Sequence, residues 1–246
     1  MSGTVCSEKE AAMNKGIPTE IERFDLSARV QHIILFTSFL VLAFTGWGLK
    51  YAYQEPASAW IRFWGGAKSA GIIHRVAGII LLMDFIYHQF YMLNLIRKKE
   101  LRLTIVPMPK DLLDVIQNFK YYLGLSKEKP RFGKFSYLQK FDYWAVYWGM
   151  MIIGTSGFIL TFPVMMSSVF PTWTLSWLWD VIFIMHSDEA LLAIVFIFII
   201  HFYSEHLRSD VFPMSWLWLT GRMPIDQLKH HHPEEYDHLF GEKKDK

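Results

Sequence analysis

Cysteine is almost absent from this sequence, in which Cys6 is the single thiol among 246 residues. One thiol excludes an internal disulfide and a cysteine-ligated iron–sulfur cluster, and the lack of a CxxCH motif excludes covalently attached c-type haem. Internal repeats and low-complexity tracts are also lacking. The first 22 residues are polar, so we expect no cleavable signal peptide. Side chains other than cysteine must therefore carry any chemistry.

Apolar residues make up 52% of the chain and are concentrated in four long blocks. Each block reaches the roughly 20 residues of helix that a bilayer core of about 30 Å requires. We therefore predict an all-α integral membrane four-helix bundle, although the charged residues of the second block also suit a buried soluble helix. The predicted spans lie at about residues 30–52, 71–96, 141–163 and 177–204 of a membrane domain (29–206), between an N-terminal segment (1–28) and a tail (207–246).

Positive charge is distributed unevenly between the connections. The connection 97–140 holds eleven Lys and Arg residues against four acidic ones, the tail holds six Lys and Arg residues, and residues 161–179 contain no Lys or Arg. The positive-inside rule therefore places this connection and both termini in the cytoplasm. We expect a multi-pass protein of the bacterial cytoplasmic (inner) membrane, with no nucleic-acid partner.

Two shorter stretches predict segments that lie at the membrane surface. One side of the stretch 108–125 carries the apolar residues Leu112, Leu113, Ile116, Phe119 and Leu123, as in an amphipathic helix. This helix is either a surface-lying linker or a docking surface. The Trp-rich stretch 213–220 is too short to span and is typical of an interfacial segment.

Histidines recur at matching depths in the blocks. His74 and His88 are fourteen residues apart, which corresponds to about 21 Å along a helix and about 40° around it. The fourth block repeats this pattern. We predict an outer layer of His74 and His186 and an inner layer of His32, His88 and His201. A membrane-embedded imidazole is costly without a partner, and intramembrane polar residues are functional by default.

Imidazoles that face each other from different helices at one depth are typical of haem b with two axial histidines. Two such haems, about 20 Å apart, would let electrons cross the low-dielectric core in short hops. Zinc is the competing ion, but closed zinc sites use closer ligand spacings and usually cysteine. Arg75, beside an outer histidine, is placed either to pair with a haem propionate or to snorkel to the surface.

Three stretches of the chain carry a family resemblance. They are RFDLSARVQHIILFTSFLVLAFTGWGL (Arg23–Leu49), FGKFSYLQKFDYWAVYWGMMIIGTSG (Phe132–Gly157) and TGRMPIDQLKHHHPEEY (Thr220–Tyr236). In this order they resemble the cytochrome b subunits of respiratory formate dehydrogenase (the gamma subunit) and of nickel–iron hydrogenase, over nearly the whole chain. PRFGKFSYLQKFDYWAVYWG and DVFPMSWLWLTGRM are most similar to the cytochrome b proteins that anaerobic bacteria pair with multihaem c-type cytochromes.

The formate dehydrogenase resemblance implies that His74 pairs with His186 and His32 with His201. The chain departs from that pattern because His88 has no counterpart there and the fourth-span spacing is fifteen rather than fourteen residues. The cytochrome b of bc-type complexes would instead pair His88 with His201. We favour the first pairing because the Arg-x-x-His context of His32 matches. His88 is then expected to contact a quinone or a propionate, or to ligate a third haem.

The resemblance also implies a quinone pocket at the start of the third span, near the inner haem. Ser136, Tyr137 and Gln139 are the candidate contacts, although Ser136 stands where the family tends to have Asn. Ordinary polarity at a helix start is the competing explanation.

Other polar residues give weaker signals. Asp84 and the pair Asp188 and Glu189 are candidates for relaying protons, for orienting imidazoles or for structural hydrogen bonds. The histidines of the tail form either a metal site or part of a solvated segment; they are His230, His231, His232 and His238.

These features indicate an electron-transfer subunit of a quinone-linked oxidoreductase complex. It would exchange electrons between a membrane quinone, such as menaquinone, and a partner subunit in a hetero-oligomeric complex surrounded by lipid. The partner is expected to be a periplasmic multihaem cytochrome c or an iron–sulfur subunit. A histidine-relay transporter is a rival, but inverted repeats and broken helices are not evident in the sequence. A passive haem-bearing anchor is the third hypothesis.

Overall fold

The computed structural model describes residues 18–98, 104–170, 176–208 and 211–241, so Cys6 lies outside the described residues. The chain divides into two compact units. The first, here called the membrane unit, comprises Val30–Arg97 and Ala145–Ser215. The second, here called the polar unit, comprises Met1–Arg29, Lys98–Trp144 and Trp216–Lys246.

Within the described residues, four helices are long and apolar enough to cross a membrane, which confirms the predicted all-α membrane bundle. The first three begin four residues earlier than predicted, because polar residues ahead of each apolar block join the helix. The last ten residues of the fourth helix form a π-helix. The helices are the first span Leu26–Lys50, the second span Ala67–Arg97, the third span Tyr137–Thr161 and the fourth span Ser176–His206.

The membrane unit has polar side chains inside and apolar side chains outside. At most 22% of the apolar stretch of any span is buried within the protein. The buried polar side chains are each no more than 9% exposed and include Gln31, Thr45, Asp84, Ser156 and Ser204. A bilayer covers apolar surface, whereas polar groups within it need partners inside the bundle. This distribution is therefore the one expected of a membrane protein.

The polar unit joins segments that are far apart in sequence. Strand β1 (Glu20–Glu22) pairs antiparallel with strand β2 (Arg222–Pro224), with Ile21 opposite Met223. A small apolar core forms around Met223, Ile225 and Leu228. The described part of the membrane unit contains the short helices Ala57–Phe63 and Pro163–Val169, and that of the polar unit contains Leu217–Thr220, Ile225–His231 and Pro233–Phe240. The interfacial segment predicted at 213–220 thus contains one helical turn.

Arg23 holds the polar unit together from its interior. Its buried guanidinium pairs with Glu235 and donates to the carbonyl oxygen of Lys134. His232 is also buried, and its Nδ1 lies 2.7 Å from the carbonyl oxygen of Gly133. His232 is therefore packed against the connection between the second and third spans, whereas His230 and His238 are exposed.

The predicted amphipathic helix is present as Pro109–Tyr122. Its polar side contacts the rest of the polar unit: Asp111 Oδ1 accepts from Lys140 at 2.7 Å, and Asn118 donates to the Tyr137 hydroxyl at 2.7 Å. The apolar residues on the opposite side are all exposed; they are Leu112, Leu113, Ile116, Phe119 and Leu123. In a soluble protein the apolar side of a helix normally faces the core. The reverse orientation is suited to contact with lipid.

Candidate functional site

The rings of His74 and His186 are neighbours inside the membrane unit. His74 is on the second span and His186 on the fourth, and the ring centroids are 6.3 Å apart. The two ring planes are inclined by 79°, close to perpendicular. The two histidines predicted for the outer layer therefore meet from different helices.

A hydroxyl group lies against each ring of this pair. Thr45 Oγ1 is 2.9 Å from His74 Nδ1, and Ser156 Oγ is 3.1 Å from His186 Nδ1. Thr45 is fully buried on the first span, and Ser156 is 5% exposed on the third. Sequence reasoning did not assign either hydroxyl to the site. The only sequence signal for Thr45 is its position directly before Gly46, near the end of the first span.

Three other imidazoles meet elsewhere in the membrane unit. His32, His201 and His206, here called the three-histidine cluster, offer ring nitrogens that all lie within 4.8 Å of one another. The His32 centroid is 6.3 Å from that of His201 and 6.0 Å from that of His206. Across the described ranges of the chain, this is the one group of three or more histidine, cysteine or acidic side chains arranged for a metal ion.

Sequence reasoning missed His206 because it ended the fourth span at about residue 204 and treated that span as an α-helix. Five residues of α-helix separate two side chains by about 140° around the axis. The segment Ile197–His206 is instead a π-helix, in which hydrogen bonds join residues five apart. His201 and His206 consequently lie on one side of the span, with ring centroids 5.4 Å apart. Single turns of π-helix are frequent at functional sites.

His88 is not a member of the three-histidine cluster. Its Nδ1 lies 2.9 Å from Oε1 of Gln31, the buried residue that precedes His32 on the first span. Arg75, which follows His74, is exposed. The structure therefore brings His32 and His201 together, as the first of the two predicted pairings requires. His88 is instead oriented by the side-chain amide of Gln31.

The acidic candidates occupy different surroundings. Asp84 is buried on the second span, at 8% exposure. Asp188 is mostly exposed and accepts from Lys50 Nζ at 2.7 Å. Glu189 lies against Gly149, where an added Cβ would be 3.1 Å from a carboxylate oxygen. Asp188 is thus engaged in an ion pair at the end of the first span.

The three quinone candidates lie at the first turn of the third span. The Ser136 backbone N–H donates to Gln139 Oε1 at 3.1 Å, and the Gln139 backbone N–H donates to Ser136 Oγ at 3.2 Å. This reciprocal arrangement is a capping box, which satisfies backbone donors at a helix start. The Tyr137 hydroxyl accepts from Asn118. Helix capping therefore accounts for part of the polarity found here.

The separation of the paired rings fits a metal ion between them. Metal–imidazole bonds of about 2.0–2.1 Å on opposite sides of one ion place the ring centroids roughly 6 Å apart. Both His74–His186 and His32–His201 have centroid separations of 6.3 Å. Each pair draws its histidines from two different spans, so that a flat macrocycle has a helix on either side. The residues present are those that a haem with two axial histidines needs.

Comparison with known proteins gives one result. A family model described as prokaryotic cytochrome b561 matches residues 23–208, roughly three-quarters of the chain. The matched region includes all four spans and all five histidines predicted from the sequence. A search of curated proteins returned no match.

Proposed function

The chain belongs to the prokaryotic cytochrome b561 family, and from this premise we propose that it transfers electrons between a membrane quinone and a partner redox subunit through two haem b groups. Membership of the family makes the chain a multi-pass bacterial membrane protein that carries haem b for electron transfer. Bound haem b supplies reversible one-electron chemistry.

This proposal is supported above all by two imidazole pairs, in each of which the ring centroids lie 6.3 Å apart. His74 and His186 are the proposed axial ligands of the outer haem, and His32 and His201 those of the inner haem. A neutral imidazole offers one lone pair to a metal, and the low-dielectric surroundings favour the neutral form. Arg75 is the proposed partner of a propionate of the outer haem, since an exposed guanidinium can form charge-assisted hydrogen bonds with a carboxylate.

His88 has a proposed supporting role beside the inner haem. Its Nδ1 is engaged by Gln31, which directly precedes the proposed ligand His32. The alternative is the pairing of bc-type cytochromes, in which His88 and His201 are the ligands. We favour the first arrangement because the His32 ring is the one that lies 6.3 Å from the His201 ring.

We place the quinone site at the start of the third span, with Ser136, Tyr137 and Gln139 as contacts. A quinone needs hydrogen-bond donors at the membrane edge, and a tyrosine hydroxyl and a glutamine amide both supply them. The capping box engages Gln139 Oε1, so the amide nitrogen is its donating group. We expect Gln139→Glu, which preserves the cap, and Tyr137→Phe to slow quinol-driven haem reduction at constant haem content.

The matched control for the quinone site is Glu128→Gln, at an exposed position in the connection that leads to the third span. This variant should reduce its haem at the rate of the unmodified chain. If Gln139→Glu and Tyr137→Phe also match that rate, the proposed site is wrong. Asp188 and Glu189 near the other end of the bundle are then the next candidates.

The charge distribution supports a location and an orientation in the membrane, and the family resemblance supports the partners. We propose that the chain lies in the bacterial cytoplasmic membrane with both termini and the connection 97–140 on the cytoplasmic side, because that connection has eleven basic residues. The proposed partner is a periplasmic multihaem cytochrome c or an iron–sulfur subunit within a hetero-oligomeric complex. Staining the subunits of the intact complex for covalent haem distinguishes the two.

The experiment that tests the function is reduction of the purified chain in lipid nanodiscs. A dithionite-reduced minus oxidised spectrum should show haem b bands, which a histidine-relay transporter would lack. Addition of quinol should reduce the same haem. Reduction by dithionite but not by quinol would contradict the quinone-linked function and would leave a passive haem-bearing anchor.

A further inference from the structure

The two outer histidines are held in the same way by two different helices. His74 lies against the sequence LAFTG (42–46) of the first span, and His186 lies against IGTSG (153–157) of the third. In each case a hydroxyl residue followed by glycine meets the imidazole of the next span. We call these two sets of residues, Leu42–Thr45–Gly46 and Ile153–Ser156–Gly157, the cradles of His74 and His186. They are similar in arrangement although the two spans do not form a sequence repeat.

The hydroxyl groups of the two cradles have their protons directed toward their own helices. Thr45 Oγ1 donates to the Val41 carbonyl oxygen at 2.6 Å, and Ser156 Oγ donates to the Ile152 carbonyl oxygen at 2.7 Å. A hydroxyl group has one proton to donate and two lone pairs that accept. With its proton engaged at residue i−4, each oxygen acts as an acceptor toward the histidine.

Backbone carbonyl groups reinforce this assignment. Thr45 Oγ1 also lies 3.4 Å from the Leu42 carbonyl oxygen, and Ser156 Oγ lies 3.2 Å from the Ile153 carbonyl oxygen. These residues occupy equivalent positions, three residues before Thr45 and Ser156. A carbonyl oxygen only accepts, so these carbonyl groups are second acceptors for the hydroxyl protons. In both cradles the hydroxyl oxygen is therefore left to accept from Nδ1 of the imidazole.

Glycine gives each ring the space to approach. A Cβ added at Gly46 would lie 3.1 Å from Cε1 of His74, and one at Gly157 would lie 2.9 Å from Cε1 of His186. Any larger residue would push against the ring. The Nδ1–Cε1 edge of each imidazole is therefore packed against the neighbouring helix.

We infer that Thr45 and Ser156 are positioning residues that hold His74 and His186 as Nδ1–H tautomers, so that both present the lone pair of Nε2 to a single outer haem iron. The inference rests on the proposed function for the identity of the metal, but the tautomers themselves belong to the protein. Hydrogen bonds from the second ring nitrogen orient a metal-bound imidazole and raise its basicity. Since the cradles are on different spans, each fixes its own ring plane, and the planes stand 79° apart.

The first test measures the haem. Thr45→Val and Ser156→Ala remove the acceptor oxygens, which should make the ligands weaker electron donors and shift the outer haem potential to more positive values. Near-perpendicular imidazole planes should give the outer haem a highly anisotropic low-spin electron paramagnetic resonance signal, and this signal should change in both variants. The inner haem should keep its potential and its signal.

Two further variants separate positioning from folding. Thr45→Ser keeps the hydroxyl and should restore the potential and the signal of the unmodified chain. Thr37→Val is the matched control, since Thr37 is exposed on the same span and its hydroxyl also donates to the carbonyl at i−4, that of Ile33, at 2.8 Å. If Thr45→Val and Ser156→Ala behave like Thr37→Val, the inference is overturned.

The second test reads the tautomers without haem. Nitrogen-15 spectra are recorded on the haem-free chain in bilayers, with its histidines labelled. The signals of His74 and His186 are assigned by their loss in His74→Ala and His186→Ala. Both residues should show a protonated Nδ1 and an unprotonated Nε2. Protonation at Nε2 instead would refute the inference. Absence of haem from the purified chain would contradict the proposed function, while the nitrogen spectra would still decide the tautomers.

Discussion

The imidazole rings of His201 and His206 lie 5.4 Å apart on one side of the π-helical end of the fourth span. Both face His32, which comes from the first span. The two axial ligands of one haem approach the iron from opposite sides, so His32 and only one of the other two can serve. The cluster therefore contains one imidazole more than a haem requires.

The first prediction assigns the surplus imidazole to His206. His201→Ala should lose about half of the haem of the purified chain, because the inner haem loses an axial ligand, whereas His206→Ala should retain both haems. Haem content by the pyridine haemochrome assay, normalised to protein, measures the difference. Loss of haem in His206→Ala with retention in His201→Ala would reverse the assignment.

The second prediction separates His32 from His88. His32→Ala should abolish the inner haem, and His88→Ala should keep it, because the His88 Nδ1 is already bonded to Gln31 and its ring lies outside the three-histidine cluster. Low-temperature spectra that resolve the two haems provide the measurement. The opposite result would establish the pairing of bc-type cytochromes.

The third prediction concerns the outer pair. His74→Ala and His186→Ala should each remove one haem, about half of the total, and leave the inner haem intact. His230→Ala is the control, since His230 is an exposed tail residue in the polar unit. A His74→Ala or His186→Ala protein with full haem content would disprove the assignment.

The fourth prediction concerns the amphipathic helix Pro109–Tyr122. In a Cys6→Ser background, a spin label at Leu113→Cys should be more accessible to oxygen than to a water-soluble nickel chelate. The reason is that the apolar side of this helix enters the lipid interface. A label at Glu128→Cys, an exposed position in the same connection, should show the opposite preference. Equal accessibility at the two positions would exclude lipid contact.

The fifth prediction is a pH dependence at Asp114 in this helix. Burial raises the pKa of the Asp114 carboxyl, as do the neighbouring carboxylates of Glu234 and Asp111, whereas Lys110 and Lys140 act in the opposite direction. The folded chain therefore binds this proton more tightly than the unfolded chain. Consequently, the contribution of Asp114 to stability falls as the pH rises from the ordinary aspartate pKa through the raised value.

Asp114→Asn should remove the loss of stability that the ionised Asp114 carboxylate causes at neutral pH. The thermal midpoint of the chain in nanodiscs should rise at pH 7 by a few °C at most, and the gain should shrink as the pH falls from the raised pKa of Asp114 to the ordinary aspartate value. Glu128→Gln makes the same charge change at an exposed site and controls for net charge. A gain that is equal at both positions or independent of pH would show that burial of Asp114 is not its cause.

Sequence alone was sufficient to predict the spans and their number. A bilayer imposes a length and an apolar composition on any helix that crosses it, and both are properties of a continuous segment of chain. The depth of each histidine follows from the same arithmetic, since residues advance along a helix by a constant rise. This is why His74 and His186 were expected in one layer before any helix was packed.

Which side chains meet within a layer depends on how helices rotate and pack, and that is decided only in three dimensions. In the sequence, Thr45 and Ser156 are two ordinary hydroxyl residues within apolar segments. Only the packing of neighbouring spans places an imidazole Nδ1 within 3.1 Å of each hydroxyl oxygen. His206 joins its cluster because the local helix is of the π type, which changes the side-chain direction without changing the sequence spacing. Arg23 and Glu235, which are 212 positions apart, pair because the chain ends fold onto the same polar unit.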